Sequence, residues 1–300
     1  MTQEFVFFAP AKINIALRVV GQREDGYHLL QTFMTFFPLY DRIGFLPTSG
    51  EVHLICEPPL SFPQEQNLVF RAAQSLLQTC RLSLGVQIHL NKKIPSGAGL
   101  GGGSSDAATV LLALNKIWKL NLPLEHLLEI GLRLGADIPI FLGQTAALVQ
   151  GIGEHLTPFP QLPQAALVLV YPNRTLSTQA VFRALKGRLP THTTPLSPLS
   201  PIMSSWQGMV SLLENDLEGV AKELEPVLLD IQSELMALGA KATCMTGSGS
   251  SMFGVFSNSS VAQMAHKQLQ IKRPEWQIFW GMTFNQHPFA TQLTQMDRIV

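Results

Sequence analysis

Between residues 95 and 108 the chain reads PSGAGLGGGSSDAA, with five glycines from Gly97 to Gly103. A helix or strand interior does not tolerate such a run, because glycine loses more backbone freedom on ordering than any other residue. Before it, Val86, Ile88 and Leu90 alternate, which is strand periodicity, and the strand runs on through Asn91, Lys92, Lys93 and Ile94 into Pro95. After it, Ala107, Leu111, Leu114 and Trp118 recur at the spacings of one buried helical face. A strand, a glycine loop and a helix in that order gather backbone N–H groups at a helix N-terminus, where the positive dipole end favours an anion. The loop Pro95, Ser96, Gly97, Ala98, Gly99, Leu100, Gly101, Gly102, Gly103, Ser104 and Ser105 therefore reads as a phosphate cradle. Ser104 and Ser105 are placed to cap the helix and to meet phosphate oxygens or a magnesium ion.

Other uses of a glycine loop fit less well. A Walker A loop needs a Gly-Lys-Ser/Thr after the glycines, and none is present. Gly97, Gly99 and Gly102 satisfy GxGxxG, but a dinucleotide fold also wants an acidic residue about 20 positions on at a strand end. Glu125 lies at that distance inside a helical segment. A protein kinase would carry VAIK, HRD and DFG motifs, which are missing. A glycine-rich turn without a ligand is the remaining alternative.

The rest of the chain alternates strands and helices. Ile13, Ile15, Leu17 and Val19 form one face of a strand, which puts Lys12, Asn14 and Arg18 on the other. Helices are expected over 66–79, 125–134, 216–223, 227–238 and 261–270, and strands over 145–149, 165–171, 242–245, 251–256 and 277–282. Gly135 to Pro139 breaks a helix and leaves Asp137 where a carboxylate can face a cleft. The stretch 189–206, with Pro190, Pro195, Pro198 and Pro201, reads as a long mobile loop, with a domain linker as the alternative. Intermingled helices and strands with a hairpin indicate an α+β chain, divided near residue 160 and without internal repeats.

Composition narrows the function. The 300 residues carry no net charge, which disfavours nucleic acid as a partner. With 46% hydrophobic and 14% charged residues, the chain can fill a core and is not disordered. No apolar stretch is long enough to span a bilayer, and the N-terminus lacks a signal-peptide pattern. Three widely spaced cysteines, Cys56, Cys80 and Cys244, suggest reduced thiols rather than a disulfide framework or zinc site. The histidines show no paired metal spacing. The expectation is a cytoplasmic enzyme acting on small molecules, without a protein-bound structural metal; monomer and homodimer both stay open.

Four segments then carry a resemblance from Ala9 to about Phe256. PSGAGLGGGSSDAA is similar to the ATP-binding motif of the GHMP kinases, the galacto-, homoserine, mevalonate and phosphomevalonate kinases. The longer GLGGGSSDAA form, PAKINIALRVVGQREDGYHLLQT and LGADIPIFLGQTAALVQGIGE resemble the branch that phosphorylates 4-diphosphocytidyl-2-C-methyl-D-erythritol. MTGSGSSMFGVF resembles the family's third motif, with Ser250 where proline is commoner. The resemblance implies an α+β two-domain GHMP kinase fold, with a ribosomal-protein-S5-like ATP-binding domain over 1–160. A ferredoxin-like domain would occupy 161–300, with the active site in the cleft between them. It implies ATP, with Mg2+ carried on it, as the phosphoryl donor and an alcohol as acceptor.

By the same resemblance, Asp137 activates the acceptor hydroxyl and Lys12 is its cationic partner. Asn14 orients substrate or Lys12, and Tyr27 and His28 hold a cytosine by stacking and edge hydrogen bonds. Phe182 supplies a further stacking face, and Asn67 lines the adenine pocket. Gly247 and Ser248 form a turn beside the phosphate loop. Taken singly, each residue has a plainer role: Asp137 and Asn67 as caps, Lys12 as a solvated lysine, His28 as a loop histidine, and 247–249 as a hairpin turn. Lys92 and Lys93 are placed either to draw in nucleotide phosphates or to solvate a strand end.

Overall fold

The structure is a computed structural model that describes residues 4–185, 188, 192, 194–197 and 205–296. The first half gives β1 (Phe5–Gln22), β2 (His28–Thr48), β3 (Val52–Glu57), α1 (Leu68–Cys80), β4 (Gly85–Asn91), α2 (Gly102–Ile117), α3 (Leu124–Leu134), α4 (Ile138–Leu142), β5 (Ala147–Gly151) and β6 (His155–Pro158). The second half gives β7 (Ala166–Tyr171), α5 (Thr178–Leu185), α6 (Trp206–Ser211), β8 (Glu214–Asn215), α7 (Glu218–Leu224), α8 (Val227–Ala237), β9 (Ala242–Met245), β10 (Met252–Phe256), α9 (Ser259–Lys272), β11 (Gln277–Met282) and α10 (Phe289–Met296).

The first sheet runs β3-β4-β2-β1-β8, with β5 on the far end of β2 and β6 beyond it. β2 is 21 residues long and serves three neighbours along its length. Its centre, residues 32–37, is buried on both faces and does not alternate between apolar and polar. One face of the sheet packs on α1 to α4 around Phe36, Phe45, Val110, Leu111 and Phe141. The second sheet, β11-β7-β10-β9, is antiparallel throughout. Strand, helices, hairpin, helix, strand in that order is the ferredoxin-like arrangement. The mixed α+β expectation therefore stands.

The two halves are sewn together at several points. β8 adds to β1 in parallel, Phe284 bridges to Phe36, and Phe289 of α10 stacks on Phe7 at 5.0 Å between ring centroids. A further apolar cluster joins Ile13, Ile15 and Phe37 of the first sheet to Leu167, Leu169 and Phe253 of the second.

Two local expectations change. The break read over Gly135 to Pro139 ends in the short helix α4, which begins at Ile138: Pro139 near a helix start has no N–H to lose. The helix expected from residue 216 begins at Glu218, because Asn215 pairs with β1 and accepts from Leu217 N–H at 3.0 Å. Of the stretch 189–206, residues 189–191, 193 and 198–204 lie outside the described residues. Arg18 Nη1 donates to Thr194 O at 2.6 Å, Leu196 N–H donates to Gln31 Oε1 at 3.1 Å, and Leu196 is buried.

Leu111 lies fully buried between α2 and the sheet. Leu111→Ala is expected to cost about 2–5 kcal/mol, read as a lower urea midpoint.

Candidate active site

The glycine run lies where β4 hands over to α2 and faces the second sheet. Gly99 has φ +77°, and a Cβ there would sit 2.1 Å from Thr246 O, so only glycine lets the loop touch the β9–β10 turn. Gly101, with φ +69°, is the N-cap of α2 and makes no side-chain cap. The first-turn N–H groups are thus left facing outward. Ser251 N–H donates to Ala98 O at 3.2 Å and Thr246 Oγ1 lies 3.3 Å from Gly99 O, so the turn after β9 props the loop.

A cavity of about 540 Å³ opens on this loop. Pro95, Ser96, Gly97, Ala98, Gly99, Leu100, Gly101, Gly102, Gly103 and Ser104 line it, with Asn67, Lys92, Asp106 and the segment 58–62. Ser105 does not: its hydroxyl is wholly buried and has no hydrogen-bond partner among the described residues. Ser105 falls on the face of α2 that packs into the core, which corrects the expectation that both serines meet phosphate. Asn67 combines its two readings, capping α1 through Val69 N–H at 2.8 Å while lining the cavity.

On β1, register shifts at Pro10/Ala11 and Asn14/Ala16 flank Lys12 and Asn14. Bulges of this kind re-aim side chains. Both residues are buried, so the strand face that carries them meets the other sheet's turn instead of water. Lys12 N–H donates to Leu100 O at 2.9 Å, and Lys12 Nζ donates to Asn14 Oδ1 at 2.6 Å. Asn14 Oδ1 also accepts from Gly247 N–H at 2.8 Å and Thr246 Oγ1 at 3.1 Å, and Asn14 Nδ2 donates to Thr32 Oγ1 at 2.9 Å. Arg18, expected on the same face, lies beyond the Asn14/Ala16 register shift and pairs with Glu214.

Lys12 Nζ lies 3.7 Å from Asp137 Oδ2. The lysine side chain is 3% exposed and the aspartate side chain 40%. Burial pushes the Lys12 ammonium below its ordinary pKa, against the opposing pull of the Asp137 carboxylate. Asp137 occupies the N-cap position of α4, yet its side chain makes no capping bond, so the carboxylate is left to face the cleft.

A second cavity, of about 590 Å³, is lined by Asp25, Tyr27, His28, Ala136, Thr178 and Phe182, among others. Tyr27 is 60% exposed, and His28 is stacked on Phe182 with centroids 4.6 Å apart. Burial lowers the pKa of His28, favouring the neutral imidazole, which both donates and accepts. Ser248 and Thr178 share a hydrogen bond of 2.8 Å, tying the β9–β10 turn to α5. Lys12 and Asp137 thus lie between the two cavities: a Cβ on Gly101 of the first would touch Lys12, and Ala136 of the second precedes Asp137.

Sequence reading missed the partners of Lys92. Its ammonium is held by Asp41 and, at 2.6 Å, by Asp106, both buried, whereas Lys93 is exposed. Asp41 also accepts from Lys93 and Ile94 N–H, so it anchors the loop's entry. Burial opposes the Lys92 charge, but Asp106 and Asp41 outweigh it and raise its pKa. Burial pushes the Asp106 carboxyl up to about 8, with Lys92 pulling down and Asp41 pushing up. The only signal in the sequence is an Asp where the loop's helix turns inward.

The donor set suits an anion rather than a protein-caged metal. Among the described residues no group of three or more His, Cys, Asp or Glu is arranged around a common point. The Ser104 side chain and the loop N–H groups fit a phosphate chain that brings its own cation.

Residues 67–144 match the family described as GHMP kinases N terminal domain, and residues 198–272 match GHMP kinases C terminal. The 4-diphosphocytidyl-2-C-methyl-D-erythritol kinase of Rhizobium leguminosarum bv. trifolii is 41% identical over 275 residues, 89% of this chain and 91% of its own. That of Syntrophus aciditrophicus is 40% identical, covering 90% and 96%. A crystal structure of 4-(cytidine 5'-diphospho)-2C-methyl-D-erythritol kinase superposes with a TM-score of 0.79 at 36% identity, over 93% of this chain and 99% of that one. A homoserine kinase from Cytophaga hutchinsonii, 17% identical with a TM-score of 0.71 over 96% of each chain, shares the fold. Fold, cradle and matches together define the class as a GHMP kinase rather than a dinucleotide-binding oxidoreductase. Within that class the chain belongs to the 4-diphosphocytidyl-2-C-methyl-D-erythritol kinase family.

Asp106 gives a pH test of the buried cluster. An acid raised from 3.8 to about 8 in the folded chain contributes stability that is complete below 3.8 and lost as pH rises through about 8. Asp106→Asn cannot titrate. Between about pH 5 and about pH 8.5 the urea midpoint of the parent protein should therefore fall relative to that of the variant. A constant difference would contradict the cluster's electrostatics.

Proposed function

We propose that the chain transfers the γ-phosphoryl group of ATP to the 2-hydroxyl of 4-diphosphocytidyl-2-C-methyl-D-erythritol, giving the 2-phosphate and ADP. The step belongs to the non-mevalonate route to isoprenoid precursors, and we assign it to the cytoplasm. The observation that carries the reading is the Lys12–Asp137 pair, set between a glycine-loop cavity and an aromatic cavity. A transferase needs that arrangement: a donor site, an acceptor site, and an acid–base and electrostatic device where they meet.

The loop N–H groups from Gly97 to Ser104 bind the triphosphate, and Asn67 and the segment 58–62 bound the adenosine end. Ser104 is the protein group that would meet the magnesium ion, which when bound there neutralises phosphate charge. In the second cavity Tyr27, His28 and Phe182 receive the cytosine, the neutral imidazole reading its polar edge. Asp137 takes the proton of the attacking hydroxyl. Lys12, held by Asn14 and 3.7 Å from the Asp137 carboxylate, stabilises negative charge on the transferring group. Burial weakens the hold of Lys12 on its proton, and the Asp137 carboxylate opposes that loss.

A coupled ADP-release assay with this cytidine substrate, mevalonate and homoserine tests the reading. Turnover with the cytidine compound alone is expected, and turnover with mevalonate or homoserine instead would reassign the acceptor. In the same assay Asp137→Asn should lose roughly 10²–10⁴-fold in kcat while ADP binding, followed by calorimetry, stays as in the parent. An undiminished kcat would remove Asp137 from the chemistry.

A further inference from the structure

The turn that meets Lys12 and Asn14 closes on itself only at its ends, through Gly249 N–H to Thr246 O and Thr246 N–H to Ser251 O, each at 3.1 Å. After β9 the chain passes through Thr246, Gly247 and Ser248, and no side chain can brace the turn at Gly247, where a Cβ would come within 3.0 Å of Lys12 Nζ. Its peptide groups are gripped from outside, on two sides. On one, Asn14 Oδ1 accepts from Gly247 N–H at 2.8 Å. On the other, Asn215 Nδ2 donates to Met245 O and to Gly247 O, each at 2.8 Å.

Asn215 is itself fixed. It lies in β8, opposite Leu17 of β1, and its Oδ1 accepts from Leu217 N–H at 3.0 Å at the start of α7. Its side chain is almost wholly buried, with every polar atom used. Lys12 and Asn14 are on the same strand β1, so Asn215 references the turn to the strand that carries them. Neighbouring Glu218 adds a second grip, accepting from Met245 N–H at 2.8 Å. From Ser248 the turn reaches Thr178 and hence α5, which carries Phe182.

We propose that Asn215 is a positioning residue for phosphoryl transfer: by clamping the Gly247 carbonyl it holds the Gly247–Ser248 turn against Lys12 and Asn14 on one side and the acceptor cavity on the other. The proposal rests on the function proposed above. It assigns the two-residue strand Glu214–Asn215 a part in the site that no sequence motif signals. Buried carbonyls that lose their donors turn toward other partners, and a reacting geometry tolerates little displacement.

The test uses Asn215→Asp, which keeps the acceptor for Leu217 N–H and removes both donors. Asn215→Ser serves as the second variant if Asp does not fold. The core variant Ile231→Val controls for loss of stability alone, since Ile231 is fully buried away from the site. For the Asn215 variant, kcat with the cytidine substrate should fall roughly 10- to 100-fold, the effect of unpaired buried acceptors. The ADP dissociation constant should stay within about threefold, because the donor cavity does not include Asn215. The Gly247 amide resonance in a proton–nitrogen NMR spectrum should move, and Ile231→Val should change neither kcat nor that resonance. A folded Asn215 variant with kcat within about twofold of the parent, or with an unmoved Gly247 amide, would overturn the proposal. If the parent itself does not turn over the cytidine substrate, the functional reading fails instead, and the Gly247 resonance still decides the role of Asn215.

Discussion

Asn14 Oδ1 is the point on which the cleft depends. It accepts from Lys12 Nζ, Thr246 Oγ1 and Gly247 N–H, while Asn14 Nδ2 reaches Thr32. One carboxamide thereby joins β1, β2 and the turn of the second sheet. Its geometry explains why the β9–β10 turn stands under the glycine loop, with Thr246 and Gly99 in contact. The same oxygen accepts from the buried Lys12 ammonium, whose pKa burial lowers. A low-dielectric surrounding strengthens such a network when its members are paired, and both polar atoms of the Asn14 carboxamide have partners here.

The buried charges divide the labour. Lys12 pairs with the half-exposed Asp137 and keeps one face toward the cleft. Lys92 is enclosed by Asp41 and Asp106, and together they fix the entry to the glycine loop and the first turns of α2. Under the function proposed above, Lys12 serves the chemistry, whereas Lys92 lines the glycine-loop cavity and ties its walls together. Their difference comes from the acids around them: one partly solvated carboxylate in the first case, two buried ones in the second.

Much of this was legible where one face of an element is buried. The period of β4, β7, β11 and α2 gave their place, and the break at Gly135 to Pro139 marked Asp137 as a cleft residue, though not the helix α4 that follows it. The centre of β2 was not legible, because a strand covered on both faces loses its alternation. Ser105 was assigned to phosphate from its neighbours in sequence, but helical geometry turns it into the core. Lys92 needed Asp41, and Gly247 needed Asn215. These contacts join residues distant in the chain, and no local pattern encodes them. The order of motifs carried the resemblance to GHMP kinases, whereas the cytidine preference has no derivation from periodicity or charge.

A crystal structure of the protein with a non-hydrolysable ATP analogue and 4-diphosphocytidyl-2-C-methyl-D-erythritol is the most direct test of phosphoryl transfer across the Lys12–Asp137 pair. The account predicts the triphosphate along Gly97 to Ser104 and the cytosine among Tyr27, His28 and Phe182. It also predicts the acceptor hydroxyl within hydrogen-bond reach of the Asp137 carboxylate, in line with the terminal phosphate. An acceptor hydroxyl pointing away from Asp137, or a cytosine outside the aromatic cavity, would contradict it.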